Sequence, residues 1–192
     1  MHRFLWAACV LLPLPAHAGV IMTIERTGVS VDNPQFTFTS TEGFAATHIA
    51  VTLGDTSYNF DYALPLSQTG TFALALLSPD TLNAEVRSDV LAWELIDFSV
   101  GSQFSARVDI DRDVGPATVD WQEMLFNNGE LANAVLTVGW TDGTATDVLF
   151  HDEAGRDPLV PYSISVEAVP EASSLLLGAA AISITLFFRR KR

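Results

Sequence analysis

The chain has 192 residues, with 23 acidic and ten basic side chains, a net charge of −13 and one cysteine. That balance disfavours nucleic acid and anionic lipid, which need basic footprints, and a single thiol excludes a disulfide framework. Between residues 19 and 168 the asymmetry sharpens to −17, with five arginines, 22 acids and no lysine. Neutral glycans, cations or basic surfaces are then the favoured partners, although high charge also serves plain solubility.

Residues 1–18 read as a secretory signal peptide. His2 and Arg3 form a short basic region, Phe4 to Leu14 an apolar one, and Ala16-His17-Ala18 a small-residue cleavage site before Gly19. Pro13 and Pro15 would break a full transmembrane helix. A lipoprotein reading through Cys9 fails on Trp6, which stands where a small aliphatic residue is needed. Cys9 leaves with the signal, so the segment 19–168 carries no thiol and must rely on a packed core. Its 150 residues suffice for one such core.

Alternation dominates that segment. Val20 to Arg26 reads as its first strand. Gln35 to Ser40 sets Phe36 and Phe38 against threonines, and Thr47 to Leu53 alternates similarly. Turns are expected at Asp32-Asn33-Pro34 and Leu64-Pro65, apolar strands at Phe72 to Leu77 and Val90 to Val100, and a short helix at 81–87 or 120–126. Phe104, Ala106, Val108 and Ile110 share one strand face, with Ser105, Arg107, Asp109 and Asp111 on the other. That is the pattern of a half-buried antiparallel strand. Gly115-Pro116 and Asn127-Asn128-Gly129 mark further turns. Ala134 to Trp140 and Ala145 to His151 form a hairpin around Asp142-Gly143, which supplies the positive φ of a tight turn. Tyr162 to Ala168 is the last strand. Short strands and frequent turns predict an all-β fold, a single β-sandwich with a jelly roll as one candidate topology.

Site chemistry is sparse. Asp109, Asp111 and Asp113 place three carboxylates at alternate positions, with Asp120 eleven residues after Asp109. Calcium takes clustered oxygen ligands, which makes these three the calcium candidates. They do not form an EF-hand loop: Val114 fills its glycine position and Asp120 replaces its bidentate Glu. The alternative is that Asp109 and Asp111 simply line the solvent face of a strand. His48 and His151, both within expected strands, are the histidines of the mature segment. No Gly-x-Ser-x-Gly elbow and no His-Glu-x-x-His occurs, so no catalytic residue and no cofactor is assigned. Trp93, Trp121 and Trp140 are expected in the core, or else exposed for stacking on sugar rings.

The carboxy-terminal end has a different character. Val169-Pro170-Glu171 precedes 17 uncharged residues, 172–188, and then Arg189-Arg190-Lys191-Arg192. As a helix at ~1.5 Å per residue, that span reaches about 25 Å, the short end of what crosses a bilayer. The terminal cations can snorkel into headgroups, and they act as a cytoplasmic stop that holds the preceding domain outside the cytoplasm.

This order of lead-in, Ser173-Ser174, short span and basic end resembles a PEP-CTERM sorting signal. Ala172 stands where the commonest pattern has a second proline. The resemblance covers 169–192 and says nothing about the fold before it. It implies export in a Gram-negative bacterium that makes extracellular polysaccharide. It also implies recognition by an exosortase-type membrane protease that cuts near Pro170-Glu171 and passes the ectodomain to the cell surface or matrix. A sortase signal would need Leu-Pro-x-Thr-Gly, which is absent, and a GPI signal normally lacks the basic end.

Together these features predict a non-enzymatic, exported surface or matrix protein, held in the inner membrane with a periplasmic ectodomain before processing. Two alternatives differ in class. One is a carbohydrate-binding module or acid-based glycan hydrolase of the polysaccharide matrix. It needs a tryptophan-lined groove with carboxyl groups about 5–9.5 Å apart. The other is a calcium-stabilised adhesin.

Overall fold

A computed structural model describes residues 19–26, 33–78, 88–114, 120–126, 131–151 and 160–168. These residues build two antiparallel five-stranded sheets. The strands are β1 (Gly19–Arg26), β2 (Pro34–Glu42), β3 (Ala46–Thr52), β4 (Tyr58–Thr69), β5 (Ala73–Ser78), β6 (Val90–Phe98), β7 (Gln103–Arg112), β8 (Val135–Trp140), β9 (Ala145–Leu149) and β10 (Tyr162–Glu167). One helix, α1 (Trp121–Phe126), follows β7. The first sheet runs β10-β1-β2-β7-β4 and the second β5-β6-β3-β8-β9. The pairs β4·β7 and β3·β8 nest outward from the β5–β6 hairpin, and β1·β10 encloses them all.

The period-two pattern is what fixes each strand's inner face. Val20, Met22 and Ile24, then Phe36 and Phe38, then Phe104, Ala106, Val108 and Ile110 are buried on the first sheet. Ile49, Val51, Leu91, Trp93, Leu136 and Val138 meet them from the second. Phe38 stacks on Phe104 at 4.9 Å, and Trp93 packs edge-on to both at 5.2 and 5.4 Å. Each such ring contributes about 1.5–3 kcal/mol through burial, with roughly 0.5–1.5 kcal/mol more per favourable pair. A second aromatic group closes one end: Phe126 of α1 lies edge-on to Tyr162 at 5.0 Å and to Phe150 at 6.4 Å.

Most expected strands appear within a residue or two of their boundaries. The turn expected at Leu64-Pro65 does not. Both residues lie inside β4. Proline cannot donate to a ladder, but β4 is an edge strand and its register with β7 slips between Pro65 and Ser67, where the missing N–H costs least. The expected helix at 120–126 is α1, capped by Asp120, whose Oδ1 accepts from the Gln122 N–H at 3.0 Å. The other helix candidate at 81–87 lies outside the described residues. So do the expected signal peptide 1–18, the motif Val169-Pro170-Glu171, the span 172–188 and Arg189 to Arg192. Among the described residues no helix is long and apolar enough to cross a membrane.

Candidate functional site

The outer face of the β4·β7 pair gathers the acids. β7 alternates strictly, so Asp109 and Asp111 point away from the core that Val108 and Ile110 enter. The register of β4 against β7 passes from Phe60↔Ile110 to Tyr62↔Asp109, leaving Asp61 as the extra residue of a bulge. Bulges re-aim side chains, and here one carboxylate oxygen each from Asp61, Asp109 and Asp111 lies within 4.8 Å of the others. All three residues are half-buried.

Asp113, the third residue of the expected calcium set, stands outside this triad. It lies past the end of β7, exposed, and its Oδ1 accepts from Asn59 Nδ2 at 2.7 Å. Strand periodicity had placed it with Asp109 and Asp111, but the strand ends at Arg112 and the third acid comes instead from a neighbouring strand. Asp61 was missed because its partners sit about fifty positions away and only the β4·β7 pairing unites them. The one local hint was the alternation Tyr58, Phe60, Tyr62 around Asn59 and Asp61.

Two side-chain oxygens of β4, one of them in the triad, are buried. Asp61 Oδ1 and Asn59 Oδ1 have no hydrogen-bond partner among the described residues, and Asn59 is only 1% exposed. A buried acceptor without a donor costs roughly 1–3 kcal/mol. Three converging carboxylates can hold a hard cation through oxygen alone, the ligand type that calcium and magnesium take. Asp120, by contrast, is occupied in capping α1.

A second feature lies beside this face. An open groove of about 610 Å³ is lined by Asp55, Thr56, Ser57, Tyr58, Arg112, Asp113 and Val114. Arg112 Nη2 donates to Tyr58 Oη at 3.2 Å and to Glu123 Oε1 at 3.0 Å, tying β7 to α1. The hydrogen bond to Tyr58 and the charge of Glu123 hold the guanidinium above its ordinary pKa. Tyr58 is itself only 7% exposed, so the groove offers no open ring to a sugar.

The three tryptophans are likewise buried: Trp93 at 1%, Trp121 at 1% and Trp140 at 2% exposure. No tryptophan-lined groove is therefore present among the described residues. His151 is spent on structure, its Nδ1 lying 3.2 Å from the Tyr162 hydroxyl. His48 sits opposite Gly139 in the β3·β8 ladder.

No family model, curated protein or solved structure matches the chain. What the described residues define is an all-β fold of two antiparallel sheets, with an acidic cluster on an outer face.

Proposed function

We propose that this chain is an exported cell-surface or matrix protein whose ectodomain is a non-catalytic β-sandwich, sorted by an exosortase-type membrane protease. The observation that carries the reading is that the two expected cut sites lie next to the described strands β1 and β10 without entering their pairing. Gly19, the first residue of β1, pairs with Glu167, the last residue of β10. Ala16-His17-Ala18 lies immediately before the first of these, and Val169-Pro170-Glu171 just after the second. Both cuts therefore leave the β1·β10 pairing from Gly19 to Ile24 whole, together with the core that includes Val20 and Val166.

On this reading the span 172–188, with Arg189 to Arg192 on the cytoplasmic side, holds the domain in the inner membrane facing the periplasm. Cleavage near Pro170-Glu171 then releases it to the surface or the extracellular polysaccharide. Replacing Pro170 and Glu171 by Ala in an exosortase-bearing host should leave a full-length, membrane-bound protein, while the unaltered chain loses its tail. Identical mass and fractionation for both forms overturn the reading.

A second reading, a calcium-stabilised version of the same surface protein, is favoured by the convergence of Asp61, Asp109 and Asp111 beside the partnerless oxygen of Asp61. Like charges so close repel, and a divalent cation would relieve that repulsion. Calcium should raise the thermal midpoint and a chelator lower it. Asp61→Asn should raise the calcium-free midpoint and abolish the response to calcium. A midpoint indifferent to both calcium and chelator rules this reading out.

A further inference from the structure

Four strands end the two sheets, and they are not equally guarded. β9 and β10 touch along one side of the sandwich, and their exposed faces carry Asp147 and Glu167. On the other side β4 is protected by Pro65 and by two register slips, devices that keep a sheet edge from recruiting another strand. β5 lacks them over most of its length. Ala73-Leu74-Ala75-Leu76 pairs with β6 without interruption and holds no proline, glycine or charge. Its one register slip comes after Leu76, and β6 is its single partner strand among the described residues.

Charge points to the same edge. From Tyr62 to Pro79 the sequence has no Asp, Glu, Lys, Arg or His, within a segment that carries −17. Two copies repel over most approaches and least where these neutral stretches face each other. Two large apolar side chains are exposed at this edge, Leu77 at 54% and Ile96, which faces Ala73 from β6, at 59%, with the exposed acid Glu94 opposite Ala75.

We propose that β5 pairs with β5 of a second copy of this chain, antiparallel about a two-fold axis at Ala75, so that two five-stranded sheets become one continuous sheet. The strand is self-complementary in this register. Ala73 of one copy meets Leu77 of the other, and Leu74 meets Leu76. Leu77 of the second copy then lies over the small Ala73 beside Ile96, covering apolar surface that each copy leaves open. Leu74 and Leu76, half-buried at the margin of the core, extend that core across the interface. Main-chain hydrogen bonds supply the remaining contacts, as in other strand additions.

Sedimentation equilibrium of the full chain in detergent tests this directly. The unaltered protein should show a concentration-dependent monomer–dimer equilibrium. Ala75→Glu, whose new carboxylate faces Glu94 on β6 and its own twin across the axis, and Leu77→Glu should each weaken dimerisation at least tenfold, while Ala145→Glu on β9 should not. A monomer at every concentration, or association unchanged by the β5 variants, overturns the proposal. A measurement independent of charge uses Ala75→Cys in a Cys9→Ser background. At the two-fold axis residue 75 faces itself, with Cα atoms about 4.5–5.5 Å apart, within disulfide reach. Mild oxidation should give a covalent dimer from this variant and none from Ala145→Cys, and a thiol that stays monomeric refutes the pairing.

Discussion

Trp93 of one sheet packs edge-on against Phe38 of the other, ring centroids 5.2 Å apart and planes at 64°. The contact crosses the sandwich, and Phe104 joins it from the strand beside Phe38. With no thiol in the segment 19–168, this aromatic packing holds the two sheets together without a disulfide.

Trp93→Ala should therefore cost about 3–5 kcal/mol of stability, the usual range for emptying a large aromatic site. Urea unfolding of the variant against the unaltered protein measures it. A loss below about 1 kcal/mol would mean that the two sheets are held chiefly elsewhere. Because all three core tryptophans are buried, their emission should also stay unchanged on titration with neutral polysaccharide.

Gly54 leads from β3 towards β4 beneath the backbone that enters β8. A Cβ there would overlap the Ala132 carbonyl and lie 2.8 Å from the Asn133 oxygen. Neither is a flexible side-chain end that could swing away. Gly54→Ala should destabilise by about 3 kcal/mol or more, the upper range for forcing an atom into packed structure. Its thermal midpoint checks this, and an unchanged midpoint contradicts the close approach.

The β8–β9 turn carries a pH signature. Thr144 donates from its N–H at 2.9 Å and its hydroxyl at 2.7 Å to Asp142 Oδ1, and these bonds hold the carboxyl below its ordinary pKa. A depressed folded-state pKa contributes stability above the unfolded value, about 3.9, and loses it as pH falls through the folded value. Asp142→Ala should lower stability slightly at neutral pH, the effect being small because the turn is solvent-exposed. The difference from the unaltered protein should fade in acid. A difference that grows as pH falls has the wrong sign for this arrangement.

The sequence showed the strands with one clean apolar face. β7 and the β8–β9 hairpin were readable because Phe104 to Asp111 alternates without error and Asp142-Gly143 prescribes a turn. β4 was obscured. Beyond Ala63 its residues are exposed, so no inner face marks it, and Pro65 reads locally as a turn. The acidic site was half legible: Asp109 and Asp111 share a face by period alone, whereas Asp61 joins them through a bulge that only the pairing with β7 creates. Asp113 was placed with them by a periodicity that the strand does not sustain past Arg112. The proposed sorting tail lies outside the described residues, and its reading rests on the order of Pro-Glu, apolar span and basic end rather than on any tertiary contact.

The most direct measurement is the intact mass of the mature protein from its own host, together with the fraction in which it is found. Expected is a chain beginning at Gly19 and ending close to Pro170-Glu171, recovered from the cell surface or matrix. A chain that still ends at Arg192, or one recovered from the cytosol, would contradict an exported and proteolytically sorted sandwich.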